Sequence, residues 1–404
     1  MHAEVISIGD EIISGQLLDT NCQWLAQRLE EQGIRVLYHS AVGDELDAMV
    51  AVFRLAIGRA DVIVSTGGLG PTADDLTREA LAKATGRKLV LDAGALEQIR
   101  ALFARRKREM PKRNESQALF PEGSRAVPNP HGTAPGIDLD VPRPGTSPCR
   151  FFALPGVPAE MKEMWLGTVV QELRKAGAGR QVIRHRRIKC FGAGESQMEA
   201  MLPDVVRRGR EPRVGINASQ ATIIFRITAA GATEEAALAA MEPTVETIRQ
   251  CLGQFVFGEE DDELQDAVVR LLRQRKQTLA TVEWGTAGLV ADWLGAAAQG
   301  DPCYRGGLVL ADETTVQRVL GGSTDVLAMA EACRTRFGAD YGLCAGPFPV
   351  PDPPPAEPKP FHYALAGPSG VTVQAIPFAA HPALLKVLCA KHVLNLARLA
   401  LLAK

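Results

Sequence analysis

The chain carries almost no net charge, no apolar run long enough to span a bilayer, no leader-like start and no closely paired cysteines. Each absence excludes something. Its 404 residues hold 45 Lys and Arg against 47 Asp and Glu, a formal net charge of −2. That leaves no basic field to attract nucleic acid or an anionic membrane surface. No apolar stretch approaches the roughly 18–20 residues of a spanning helix. The start, Met1-His2-Ala3-Glu4, runs straight into a strand pattern without the basic-then-apolar order of a secretory leader. These features predict a cytoplasmic protein with neither membrane nor nucleic-acid partners. The 8 cysteines, at positions 22, 149, 190, 251, 303, 333, 344 and 389, form no C-x-x-C pair. Neither a zinc site nor a disulfide framework is indicated, and buried, reduced thiols are expected.

A chain of this length exceeds one core, so two or three domains are expected. The composition and patterning divide it at 1–170, 171–258 and 259–404. The first segment alternates strands with helices. Residues 4–8 form a strand that breaks at Gly9-Asp10-Glu11, and a helix follows with Leu18, Cys22, Leu25 and Leu29 on one face. Gly33 ends that helix. A strand from Ile34, a helix at about 46–57 and a strand at 62–64 continue the alternation, which predicts a doubly wound α/β domain. In such sheets ligands bind beyond the carboxyl ends of the strands, where both Gly9–Glu11 and the next stretch fall.

That stretch, Ser65-Thr66-Gly67-Gly68-Leu69-Gly70-Pro71-Thr72-Ala73-Asp74-Asp75-Leu76-Thr77, holds the densest chemistry in the chain. Three glycines in four residues let a ligand approach the backbone closely. Thr72 with Asp75 reads as a variant capping box, predicting a helix that begins there. A glycine turn entering a helix N-terminus suits an anion. Adjacent carboxylates in such a place fit a divalent cation bridging acids and phosphate. The plain alternative is a tight strand-to-helix turn with solvated acids.

These residues, with Ser7-Ile8-Gly9-Asp10-Glu11, resemble the competence/damage-inducible CinA family, whose N-terminal domain shares the fold of the molybdopterin-binding MoaB and MogA proteins. The likeness continues through Met110-Pro111, Asn114, Gln117-Ala118, Pro128-Asn129-Pro130, Gly132-Thr133-Ala134-Pro135-Gly136 and Leu154-Pro155-Gly156-Val157-Pro158. It implies a three-layer αβα molybdopterin-binding-like domain, a small α+β middle domain and a C-terminal α/β amidohydrolase-like domain. It also implies a metal-dependent ADP-ribose pyrophosphatase that yields AMP and ribose 5-phosphate. On this reading Asp10, Glu11 and Asp74 hold Mg²⁺ or Co²⁺, and Asp74 and Asp75 are catalytic. Gly67, Gly68, Gly70, Thr72, Thr77, Asn129, Gly132, Thr133 and Gly156 bind a small nucleotide substrate. Hydrolysis at phosphorus needs mainly positioning and charge neutralisation, which such residues supply. Outside the resemblance, the 132–136 segment reads equally as a surface loop, the basic run Arg105–Arg108 as a solvated helix face, and His131 as incidental.

The middle segment holds strand patterns at 187–191 and 222–228, a helix at about 233–252, and Gly192-Ala193-Gly194-Glu195-Ser196, which matches the family's G-x-G-E-S signature. That motif reads as a tight turn before a helix, in a module without chemistry of its own that helps dimerisation. The C-terminal segment resembles nicotinamide mononucleotide amidohydrolases, whose strand-end motif is E-S-C-T-G-G with serine as nucleophile. Here the stretch is Glu283-Trp284-Gly285-Thr286-Ala287-Gly288, and indole cannot attack an amide carbonyl. Ala311 and Val316 stand where the family carries tyrosine and lysine. The T-G-x-A-G-P loop survives only as Ala345-Gly346-Pro347, followed by a proline-rich run to Pro360 expected to be flexible or polyproline-like. The expectation is a catalytically silent fold retaining its apolar framework (Leu279, Leu289, Leu308, Val309 and the helix 384–402), in a homodimer. The alternative for the first domain is a non-catalytic pterin- or nucleotide-binding protein.

Overall fold

The computed structural model describes residues 1–202, 204–349 and 359–403. They form two compact units, one of Met1–Arg184 with Ala229–Ala240 and one of His185–Thr228 with Met241–Lys404. Among the described residues, no helix is long and apolar enough to cross a membrane.

In the first unit, strands Arg35–Val42, His2–Ile8, Val62–Thr66 and Cys149–Leu154 lie side by side in that order, all parallel. Gly136–Val141 and Arg125–Val127 extend the sheet antiparallel. The period-2 alternation of strands divides the core in two. Val5, Val62, Val64 and Phe152 pack on one face with Leu25, Leu29 and Trp165. Ile6, Ile8, Ile63 and Phe151 pack on the other with Met49, Phe53 and Leu81. Helix Thr20–Glu31 thus covers one face, while Leu46–Arg59 and Thr77–Thr85 cover the other. This is the expected three-layer α/β arrangement. Because the chain changes faces between its first and third strands, their carboxyl ends flank a topological switch point.

Two local expectations fail here. Leu18 is 80% exposed and precedes the helix Thr20–Glu31. Asp19 caps that helix by accepting from the Cys22 N–H, so the apolar stripe starts at Cys22. The helix expected at Thr72 begins at Thr77. Asp75 accepts from the Thr72 N–H at 2.8 Å while its own N–H donates to the Thr72 carbonyl at 3.2 Å, closing a turn over 72–75 in place of a first helical turn.

A four-stranded sheet runs in the order Arg213–Ser219, Thr222–Gly231, Val182–Cys190, Val256–Glu259. The hairpin between its first two strands gives no sequence signal. Its two-residue turn, Gln220-Ala221, has φ of 46° and 61°, angles usually supplied by Gly or Asn. Next in the second unit comes a five-stranded sheet, Tyr304–Val309, Leu279–Glu283, Tyr341–Ala345, Pro360–Gly367, Gly370–Pro377, with the first three strands parallel and the last two antiparallel. The final helix Pro382–Leu402 packs with Leu264–Arg275 and Leu289–Ala298 on one face of it. Helix Val326–Phe337 covers the other. Of the expected apolar framework, Leu279 is buried but Val309 is 54% exposed. The core of the proline-rich run, 350–358, lies outside the described residues. All 8 cysteines are free, and Cys251 is exposed where a buried thiol was expected.

Candidate functional site

A cavity of about 420 Å³ opens at the switch point of the first unit. Its floor is the glycine turn. Gly67, at φ 112°, passes so close to the first strand that a Cβ there would sit 2.3 Å from the Ile8 carbonyl oxygen. The Gly67 N–H donates to Leu154 at 3.0 Å, which ties the turn to the fourth strand. The N–H groups of Gly68 and Leu69 have no partner among the described residues, and both residues line the cavity.

Much of what surrounds this turn braces it. The Asp75 carboxylate accepts from the N–H groups of Gly70 and Thr72, each at 2.8 Å, and from the Thr72 hydroxyl. Thr77 is fully buried and its hydroxyl donates to the Gly67 carbonyl at 2.9 Å. Asp75, Thr72 and Thr77 therefore all hydrogen-bond onto the loop itself, which sets their polar atoms where they brace it. Below lies Arg78, 5% exposed. It donates to the carbonyls of Leu69 (2.8 Å) and Pro135 (3.1 Å), pinning the glycine turn to the 132–136 loop, and burial pushes its pKa down to about 10. Gln117 adds a bond to Leu69 O at 3.3 Å and is held by Asn114.

The 132–136 loop is organised by Asn129. Its oxygen accepts from the N–H groups of His131 and Gly132, and its amide donates to Ala134 O and to the Glu160 carboxylate. Asn129 is thus a scaffold, while Thr133, beside it, lines the cavity, and its hydroxyl has no partner among the described residues. A Cβ on Gly132 would come within 2.0 Å of the Glu160 carboxylate, which would have to move aside. Gly156 lines the far wall, its carbonyl accepting from Asn21 at 2.7 Å. His131 is exposed, 3.2 Å from Glu163. Arg106 to Arg108 lie beyond the end of their helix at Arg105, and all four are exposed.

Of the expected metal ligands, Glu11 and Asp74 line the cavity and Asp10 does not. The Asp10 carboxylate accepts from the Asp44 N–H at 3.1 Å, and the Asp44 carboxylate accepts from the Asp10 N–H at 3.0 Å. This exchange brings Asp44 to the wall, a residue no pattern flagged because it enters from a neighbouring strand's end. Burial, and then the charges of Asp10, Glu11 and Asp74, raise the Asp44 carboxyl above its ordinary pKa. The Thr72 hydroxyl and its own backbone N–H hold Asp74 below the usual carboxylate range. Among the described residues no three His, Cys, Asp or Glu side chains already stand close enough to ligate a metal. The donor chemistry nonetheless fits a hard cation: the lining includes Glu11, Asp44 and Asp74 and no Lys, Arg or His.

The equivalent strand end of the second unit is built differently. Glu283, 1% exposed, accepts from the Thr286 hydroxyl at 2.6 Å and the N–H groups of Val290 (3.0 Å) and Ala291 (2.7 Å), capping the next helix. Trp284 packs against the apolar core. Phe348 lies on the turn, where a Cβ at Gly285 would be 2.4 Å from its ring, and it stacks on toward Phe361 and Phe378. Val316 is fully buried.

Three family descriptions match consecutive stretches: a probable molybdopterin binding domain at 4–175, a damage-inducible protein CinA KH domain at 185–258 and a CinA C-terminal domain at 261–401. A CinA-like protein of Frankia casuarinae is 35% identical over 93% of this chain and 90% of its own. A putative competence-damage inducible protein of a Geobacillus species is 35% identical over 88% of each chain. The solved structure of a Thermoplasma acidophilum protein CinA aligns with 42% of this chain and 96% of its own, at 34% identity and a TM-score of 0.38.

Proposed function

The chain belongs to the family of CinA-like, competence-damage inducible proteins, and from that premise we propose that its first unit is a divalent-metal hydrolase of a nucleoside diphosphate sugar, ADP-ribose giving AMP and ribose 5-phosphate. One observation carries the reading. Gly68 and Leu69, whose N–H groups have no partner among the described residues, line a cavity whose charged lining is entirely acidic. A diphosphate could use those donors only with a cation between it and the carboxylates. Glu11, Asp44 and Asp74 would hold Mg²⁺ or Co²⁺, which supplies charge neutralisation at the diphosphate and polarises the bond that breaks. Gly68 and Leu69 hold phosphate oxygens, and Thr133 offers a hydroxyl at the same wall. Asp74, kept ionised, orients the water whose oxygen joins phosphorus as the P–O–P bridge opens.

The second unit contributes no hydrolysis on this reading, because Trp284 and Phe348 occupy its strand end. The second reading, a pterin- or nucleotide-binding protein without turnover, is favoured by one fact: the acids are not drawn together into a ligand set. The full chain incubated with ADP-ribose and Mg²⁺ or Co²⁺ decides between them. AMP supports the hydrolase; ADP-ribose bound without AMP under either metal supports the binding protein. Ammonia released from nicotinamide mononucleotide would overturn the account of the second unit.

A further inference from the structure

Among its described residues the first unit buries a single basic side chain, and it lies behind the glycine turn. Arg78, in the first turn of helix Thr77–Thr85, is 5% exposed. Its Nη1 donates to the Leu69 carbonyl at 2.8 Å and its Nη2 to the Pro135 carbonyl at 3.1 Å. The buried Nε has no partner among the described residues. No carboxylate pairs with this guanidinium there. Asp75 acts on it only through space, and the Asp75 oxygens are bound to the N–H groups of Gly70 and Thr72.

Burying an unpaired cation is costly, and joining two loops does not require one. A neutral amide can hold such a carbonyl, as Gln117 does for Leu69 at 3.3 Å. The guanidinium nevertheless keeps its charge near pH 7, since burial brings its pKa down only to about 10. Both loops it joins line the cavity, through Leu69 on one side and through Thr133 and Ala134 on the other. The charged side chains on that lining are Glu11, Asp44, Asp74 and Glu160, all acidic. An anion entering there meets carboxylates in front and one positive charge behind the wall, where salt screens it little.

On the reading of this cavity as a diphosphate and cation site, we propose that Arg78 is its buried counter-charge, drawing an anionic group onto the glycine turn without touching it. Arg78 is then a positioning residue through its charge as well as its hydrogen bonds. A charge behind the wall acts with opposite sign on the two ligands, attracting the anion and repelling the cation. A brace that served only to shape the loops would support both alike.

Calorimetric titration of the full chain at pH 7, with Mg²⁺ alone and with inorganic pyrophosphate in saturating Mg²⁺, tests the assignment. Arg78→Gln keeps an amide donor and removes the charge. It is expected to weaken pyrophosphate binding about tenfold and to tighten Mg²⁺ binding about threefold. Arg78→Lys keeps the charge, so both affinities should stay within about threefold of the parent. It carries the test should Arg78→Gln fold poorly. Unaltered affinities in Arg78→Gln, both affinities falling together, a tenfold loss of pyrophosphate in Arg78→Lys, or a parent that binds neither probe would each overturn the proposal. Opposite shifts in a protein that releases no AMP from ADP-ribose would support it and remove the hydrolase reading alone.

Discussion

Two turns in this chain share one design. Val62–Thr66 and Leu279–Glu283 are buried parallel strands that end in glycine-bearing turns and lead into helices, and a carboxylate braces each turn with three hydrogen bonds. Asp75 braces the first and Glu283 the second. The difference lies in what stands above the brace. Over the first, Gly68, Leu69, Thr133 and the acids Glu11, Asp44, Asp74 and Glu160 border open space. Over the second, Phe348 lies on Gly285 and Trp284 packs into the core beside it. A strand-end turn supplies only a scaffold, and the residues above it determine whether a ligand can enter.

The largest effect should come from emptying the first turn of charge. Asp74→Asn is expected to lower metal-dependent release of AMP by 10² or more, in line with losing a group on which positioning and charge neutralisation converge. The thermal transition should stay near that of the parent, since Asp74 is exposed. Asp10→Asn, one step removed from the cavity, should cost far less. Equal losses for both would restore Asp10 as a ligand.

The converse experiment opens the second turn. Trp284→Ser places a hydroxyl at the family's nucleophile position, yet no ammonia is expected from nicotinamide mononucleotide, because Phe348 still covers Gly285 and Val316 stands in the lysine's place. Loss of the indole packing should cost about 1–3 kcal/mol in chemical denaturation. Ammonia from this variant would show that a single residue had silenced the second turn.

The braces themselves should differ in the same sense. Glu283→Gln removes charge from a carboxylate 1% exposed that serves three donors. A loss of about 2 kcal/mol in urea denaturation is expected, because an amide offers one oxygen to donors that now use two. Asp75 is half-buried, so Asp75→Asn should cost nearer 1 kcal/mol, yet it should lower AMP release because Gly70 and Thr72 lose their anchor. A larger stability loss for Asp75 than for Glu283 would invert the comparison.

The scaffold of both turns was legible in the sequence, because β-branched runs, glycine clusters and a proline at the first position of helix Pro158–Met164 each act locally. What stands above them was less so. Thr72 and Asp75 have the spacing of a capping box, and only the fold shows Asp75 bonded back onto Gly70 as well. Arg78 sits in the first turn of a helix, where a charged residue reads as solvated, and only the meeting of two loops gives it buried carbonyl partners. Asp44 follows a strand with no motif around it. Its role depends on the exchange of hydrogen bonds with Asp10, 34 residues away. Phe348 reaches the second turn from beyond the end of strand Tyr341–Ala345, which no local pattern encodes.

The smallest expected effect concerns the charge stored in the open turn. The Asp44 carboxyl is held above its ordinary 3.8, first by burial and then by Asp10, Glu11 and Asp74. A raised carboxyl pKa means the folded state keeps its proton longer than the unfolded chain. Its contribution to stability is thus fully present below the ordinary value and lost as pH rises through the folded one. Without divalent cation, Asp44→Asn should match the parent's thermal transition at the acid end and gain on it slightly as pH climbs toward neutrality. Adding Mg²⁺ should reverse the order at neutral pH, since the cation binds the native parent and relieves the repulsion that the variant lacks. If Mg²⁺ raises both transitions equally at pH 7, the cation does not sit against Asp44. The acids over the first turn would then be no better suited to a metal than the aromatic rings over the second.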